Sequence, residues 1–378
     1  MCATSRADAG SALSHTSTLS QSLSLLKWLL ALSVVADHFL RFNDVAGAGG
    51  VVYTLGDNPS AKFLGCAVFV MLKNYAVPVF FVVSGYLFYG TGAFEAPALR
   101  GKLRRRLTTL LWPYMLWNIL GLCVFALSDY LAGNSVGAAV SNATGGWTGF
   151  FAGFVNTPDS YFPHNTPLWY IRDLLVCMVL SPAMVWCLRK AGVVFLGICA
   201  GLFLCLFLDY GGQRWTVPLL FFNLGLWLRM RNVTSFRAGR RTLLALIALY
   251  VVTAAYYAYF NNYPGMLSHP VRNLSMIVFV FVMLCGCYAI AARLPKTTRT
   301  VAVLDFLAAA SFFVYVAHYA PLENFKSLVF NIIEPQTPGA ETLTLVLGYV
   351  LLVAVLVLIF AALRRWCRPL VRLLLGRG

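Results

Sequence analysis

Lys27 and His38 bracket an apolar run, KWLLALSVVADH, that opens on a cation and closes on an imidazole. Eleven residues at about 1.5 Å rise place the two about 16 Å apart along a helix. An ionisable side chain inside a membrane segment is costly, and a histidine there is a functional hypothesis by default. The plainer alternative is a ring hydrogen-bonded inside the bundle or at the outer interface. Asp37 points about 100° away from His38 on a helix, so it is poorly placed to orient the ring. Arg41, three residues on, shares the face of His38. A second positive charge beside Arg41 is disfavoured, so neutral imidazole is the expected resting form. Neutral imidazole is what a general base needs.

Other chemistry-bearing residues lie near the ends of apolar runs: Arg172, Asp173 and His318, with Lys73 and Asn74 interrupting another run. A basic stretch, RGKLRRRL (100–107), places Arg104, Arg105 and Arg106 just before a further apolar segment. It suits two roles, a positive anchor at the membrane surface or a cradle for a phosphorylated donor. VPVFFVVSGYLFY (77–89) reads as a span kinked at Pro78 and open to close helix approach at Ser84-Gly85.

The elements that must position these groups follow from composition. The chain has 378 residues, 60% hydrophobic and 11% charged, with mean hydropathy +0.76; a soluble domain carries roughly 25% charged residues. Long uninterrupted apolar runs in such a chain mean transmembrane helices rather than barrel strands. The expected fold class is all-α, a polytopic transmembrane helical bundle of about ten spans. These run roughly 22–42, 66–89, 107–128, 168–188, 192–209, 215–229, 241–260, 271–291, 302–322 and 343–363. A disordered tail over 1–21 and a basic tail over 364–378 flank this single membrane domain, 22–363. The apolar run after the first tail is too long for a signal peptide.

Loop charge tests the count. With both termini cytoplasmic, the inner segments carry 22 of the 29 lysines and arginines, whereas the outer loops hold eight acidic residues. The net charge of +16 therefore marks cytoplasmic loops, and no nucleic-acid module is visible. Of ten cysteines most fall in or beside apolar runs, where they act as small hydrophobes. Neither a disulfide framework nor a metal site is expected. The long outer loop 129–167, with YFPHNTPLWY at its end, is aromatic enough to pack on the membrane face. In this topology His38, Arg41, Arg172, Asp173 and His318 all lie in the outer third, the depth of a reaction chamber open to the outside. They could equally pair elsewhere or face headgroups.

Together these pieces resemble the type 3 family of membrane acyltransferases, which includes bacterial enzymes that acylate surface polysaccharides. A basic residue and, eleven positions on, a histidine in the first span are met by Lys27 and His38. Proline, paired aromatics and Ser-Gly-Tyr in the second are met by Pro78, Phe80-Phe81 and Ser84-Gly85-Tyr86. Arg104 to Arg106 precede Pro113-Tyr114; Leu168-Trp169-Tyr170 opens the fourth span; Ser311, Phe312, Tyr315 and His318 close the ninth. Ser24, Trp28 and Thr109 depart from the family's common Asp, Gly and Arg.

The resemblance implies O-acyl transfer, acetyl foremost, from cytosolic acyl-CoA to a hydroxyl of an extracytoplasmic glycan or lipid-linked sugar, at a bacterial cytoplasmic (inner) membrane. Acyl-CoA (acetyl-CoA) is then a co-substrate, with no permanently bound cofactor. Lys27, Arg104, Arg105 and Arg106 would meet the donor. His38 would be catalytic, with Asp173 and His318 orienting it or stabilising the oxyanion. Arg41, Trp169 and Arg172 would meet the sugar. Membrane lipids, but no nucleic acid, complete the expected partners. The rival reading is a secondary transporter or glycolipid flippase with a His/Asp proton relay.

Overall fold

The computed structural model describes residues 2–41, 43–47, 50–72, 75–89, 96–157, 162–205, 215–260 and 268–376. The chain is an all-α polytopic bundle. Its strand content among the described residues is one antiparallel pair of two-residue strands, β1 (Val45–Ala46) and β2 (Val52–Tyr53). Six helices among the described residues are long and apolar enough to cross a membrane, and two shorter apolar helices join them.

The first helix, α1 (Cys2–Phe39), holds Lys27 and His38 and is apolar from Thr18 onward. Its helical backbone runs back to Cys2, through the stretch the sequence reads as a tail. Leu26, Leu30, Ala31 and Val35 are fully buried, because α1 packs among α2 (Pro59–Leu72), α3 (Ala76–Tyr89), α10 (Ser268–Arg293), α11 (Thr298–Ala317) and α13 (Pro338–Trp366). Being apolar on all sides, α1 suits a position at the bundle centre.

One expectation fails at the second span. Residues 66–89 do not form one kinked helix: α2 stops at Leu72 and α3 starts at Ala76. Pro78 falls in the first turn of α3, where a backbone N–H has no intrahelical partner in any case. It therefore starts a helix instead of bending one. Lys73 and Asn74 lie outside the described residues. The second span is thus α3, only 14 residues long. It packs most closely against α8 (Thr216–Met230). A Cβ at Gly85 would overlap the backbone of Phe222, and one at Gly225 would overlap the backbone of Val82. Two glycines facing each other let the helix backbones touch.

The fourth and fifth spans are the two parts of α7 (Trp169–Cys205). Gly192 breaks it with φ 47° and ψ −116°, a conformation closed to side-chain-bearing residues. Expected spans 3, 7, 8, 9 and 10 correspond to α4 (Ala96–Leu131), α9 (Arg240–Phe260), α10, α11 and α13. The long loop 129–167 carries two short helices, α5 (Val136–Thr144) and α6 (Gly146–Ala152). A further helix, α12 (Leu322–Ile333), links α11 to α13, and α14 (Arg368–Leu375) folds back onto α4.

Candidate active site

The last turn of α1 meets the end of α11. The His38 ring centroid lies 5.4 Å from that of His318 and 5.3 Å from that of Tyr319. His38 is half-buried, whereas His318 is fully buried. His318 Nδ1 lies 2.8 Å from the Tyr315 carbonyl oxygen. A carbonyl only accepts, so in neutral His318 the proton is on Nδ1 and Nε2 carries the lone pair. That Nε2 is buried and has no hydrogen-bond partner among the described residues. An unsatisfied acceptor costs stability when buried, and its place beside His38 makes it a ready acceptor for an N–H or O–H.

Two other contacts hold α11 in this register. Asn165, in the loop before α7, donates from Nδ2 to the Val316 carbonyl at 3.1 Å and to the Trp117 carbonyl at 3.3 Å. Its own N–H donates to Asn118 Oδ1 at 3.0 Å. The Tyr315 hydroxyl donates to the Pro167 carbonyl. The polar end of the outer loop thus pins the residues just before His318. Its remainder is packed by rings: His164 meets Phe150 and Phe154, and its Nε2 lies 3.0 Å from the Phe150 carbonyl.

Tyr315 also faces inward. Its side chain lines a cavity of about 280 Å³ together with Lys27, Ser84, Arg106, Tyr170 and Ser311. Ser84 Oγ and the Tyr170 hydroxyl are 2.7 Å apart, so the wall between α3 and α7 is hydrogen-bonded shut. The second-span serine, the fourth-span aromatic and the ninth-span serine and tyrosine therefore converge on one hollow. It has cationic Lys27 and Arg106 in its lining, and Tyr315 in its wall is the residue whose carbonyl meets His318 Nδ1.

The expected outer chamber resolves into separate groups. Asp173 accepts from Arg172 Nε at 2.8 Å. Arg172 Nη1 in turn donates to the Val155 carbonyl at 2.7 Å and to Asn156 Oδ1 at 2.5 Å. This ion pair anchors the 155–156 segment of the outer loop to the start of α7, with Trp169 half-buried one turn earlier. Asp173 lies within electrostatic range of Tyr315 and Tyr114. Arg41 turns back along α1, its Nη2 3.2 Å from Asp37 Oδ2 and its Nε 2.9 Å from the Asp37 carbonyl. Its charge is thus answered locally. Of the basic run, Arg104, Arg105 and Arg106 are all exposed, and Arg106 also lines the cavity.

Three features, a ring, an asparagine pair and a buried cation, escaped the sequence reading. Tyr319 touches His38, but aromatic residues at span ends are too common to single out. Asn118 and Asn165 have no local pattern, since their bond joins residues 47 apart. Lys326 is the third. It sits fully buried on α12, with Nζ 5.5 Å from the Phe39 ring and 3.6 Å from Glu323 Oε2. Burial lowers its pKa from the ordinary lysine value; the Glu323 carboxylate opposes that. Among the described residues no three His, Cys, Asp or Glu side chains group as a metal site.

A family model described as an acyltransferase domain matches residues 20–365, which takes in Lys27, His38, the cavity and His318. No curated protein and no solved structure matches the chain. With a match over more than nine-tenths of its length, this multi-pass membrane protein belongs to the type 3 acyltransferase family.

Proposed function

We propose that the protein moves an acyl group, acetyl foremost, from cytosolic acyl-CoA to a hydroxyl of an extracytoplasmic glycan or lipid-linked sugar. The bacterial cytoplasmic membrane is the setting this reading requires. One observation supports it: a cavity with Lys27 and Arg106 in its lining and a pair of histidines, His38 half-buried and His318 fully buried, both lie along the α1–α11 contact and share Tyr315. The cavity is near the lower end of ligand-pocket sizes. It fits an acyl-pantetheine arm better than a whole nucleotide, leaving the donor's phosphates to Lys27 and Arg106 at its mouth, with Arg104 and Arg105 beside them.

In this scheme the acceptor hydroxyl reaches His38 from outside, past Trp169, Arg172 and Arg41. A His38 ring nitrogen takes the hydroxyl proton as the oxygen attacks the thioester carbonyl. The tetrahedral intermediate collapses, the carbon–sulfur bond breaks, and the departing thiolate takes the proton back from His38. The products are an O-acyl ester and free CoA. His318 acts as a positioning residue: its Nε2 lone pair accepts from the protonated His38 and favours the imidazolium as it forms. Asp173 acts through Arg172 and the loop rather than on the ring.

The test is mass spectrometry of surface glycans and glycolipids with and without the gene, and with His38→Ala in its place. Acyl-modified sugars should be present only with the intact gene. Acylation that persists in the His38→Ala strain at equal protein level would overturn the proposed mechanism. Unchanged glycans in the deletion strain would overturn the acceptor class.

A further inference from the structure

The C-terminal basic segment is not only an anchor. The end of α13 and the start of α14 border a second, open hollow of about 620 Å³, lined by the exposed side chains of Arg364, Arg365, Arg368 and Arg372 with Phe306 at its side. Arg364 lies 5.8 Å from the Phe306 ring centroid, which holds one guanidinium in place. Among the described residues none of the four arginines forms an ion pair. Four unneutralised guanidiniums around one concavity repel one another, and a polyanion relieves that repulsion. Guanidinium is also the cation best shaped for bidentate phosphate binding.

Apolar side chains flank this hollow on the outside. Trp366 is 80% exposed, Leu373 52% and Leu370 37%. A soluble phosphate has no use for such neighbours, whereas a lipid places its acyl chains against them and its headgroup in the hollow. The opposite side of α14 is fixed. Leu374 and Leu375 are buried, and Trp117 Nε1 donates to the Leu374 carbonyl at 3.0 Å. Gly376 ends the helix at φ 63°, where a Cβ would overlap the Thr109 carbonyl of α4. Leu375 is part of the wall of the Lys27–Arg106 cavity. Thus α14 is a short partition between the two hollows.

We infer that the four-arginine hollow binds the phosphate headgroup of an anionic membrane lipid, and that its occupation holds α14 in place as a wall of the Lys27–Arg106 cavity. The second half of this inference rests on the donor assignment of that cavity; the first half does not.

The test uses the full-length protein, purified and reconstituted in vesicles of phosphatidylcholine alone or with phosphatidylglycerol. Native mass spectrometry should find phosphatidylglycerol retained over phosphatidylcholine. Substituting Arg364, Arg365, Arg368 and Arg372 by Gln should abolish that preference; an Arg368→Gln/Arg372→Gln pair, with fewer changes, should reduce it at least threefold. Equal retention by the wild type of both lipids, or an unchanged preference in the folded pair variant, overturns the inference. Adding CoA or inorganic phosphate separates the sources: displacement of lipid by millimolar phosphate alone would return the hollow to a free-phosphate site and overturn the lipid assignment. Lipid retention is read without acyl-CoA, so it survives or fails separately from the catalytic reading. For the wall, phosphatidylglycerol should lower the KM for acyl-CoA about fivefold in the wild type and leave it unchanged in the pair variant. Equal KM values in both vesicle types overturn the coupling.

Discussion

The two ends of the α1–α11 contact are built differently. At the inner end Lys27 and Arg106 line an open cavity, with exposed Arg104 and Arg105 nearby. At the outer end the cations have local partners, Arg41 with Asp37 and Arg172 with Asp173. What is left at the centre of the outer end is two imidazoles, one with a buried lone pair. On the proposed reading, the cations lining the cavity meet an anionic donor and the histidine pair moves a proton. The proposed function thus predicts that changes at one end alter donor affinity and changes at the other alter turnover.

The largest expected effect is at the outer end. His38→Ala should lower kcat about a thousandfold, within the range that removal of a general base produces, in acyl-transfer assays on reconstituted protein. Next comes His318→Phe, which keeps volume but deletes the Nε2 lone pair. It should lower kcat about thirtyfold to a hundredfold and leave the KM for acyl-CoA unchanged. If the two rings act as a unit, the double variant is no slower than His38→Ala alone. A multiplicative loss would separate His318 from the proton path.

At the inner end the effect is smaller and of another kind. Arg106→Gln or Lys27→Gln should raise the KM for acyl-CoA about tenfold, the cost of one charge-assisted contact of about 1.4 kcal/mol, with kcat nearly unchanged. That KM should also rise with ionic strength in the wild type and less so in the variants. The smallest effect belongs to Lys326, a cation buried between the ends of α1 and α12. Its folded pKa is lowered by burial, so the unfolded chain holds its proton more tightly. Stability therefore rises with pH through the window below the ordinary lysine value. Lys326→Met should remove that rise and stabilise the protein by about 1 kcal/mol near neutral pH, measured by thermal unfolding in detergent at several pH values. A destabilised variant would mean that the Glu323 contact outweighs burial.

The helical segments were legible because apolar length is a one-dimensional signal. Nine of the ten expected spans coincide with helical segments, and Gly192 separates two spans that follow each other with almost no loop. At 66–89 the sequence marks an interruption at Lys73 and Asn74, and the described helices α2 and α3 lie on either side of it. The kink expected at Pro78 was misread because proline suits the first turn of a helix as well as a bend. Lys27 was legible as a cation opening the first apolar run, and His38 and His318 as unusual residues at matched depth. That His38 and His318 share a side of the bundle was not, since it depends on how α1 and α11 rotate against each other. The same holds for Arg172 and Asp173, which share the depth of the histidines but bind the loop. Helices α5, α6 and α12 were missed because loops of mixed polarity have no strong period. Lys326 was missed because its burial depends on Phe39, nearly three hundred residues away in sequence.

The most direct test of the division between the two ends is a binding measurement set beside turnover. Calorimetric titration of CoA into wild type, His38→Ala and the Lys27→Gln/Arg106→Gln pair should show His38→Ala binding within about threefold of wild type while its turnover is lost. The pair variant should bind at least tenfold more weakly and retain measurable turnover at saturating donor. If His38→Ala loses CoA binding, or the pair variant binds CoA as the wild type does, the division of labour between the two ends is wrong.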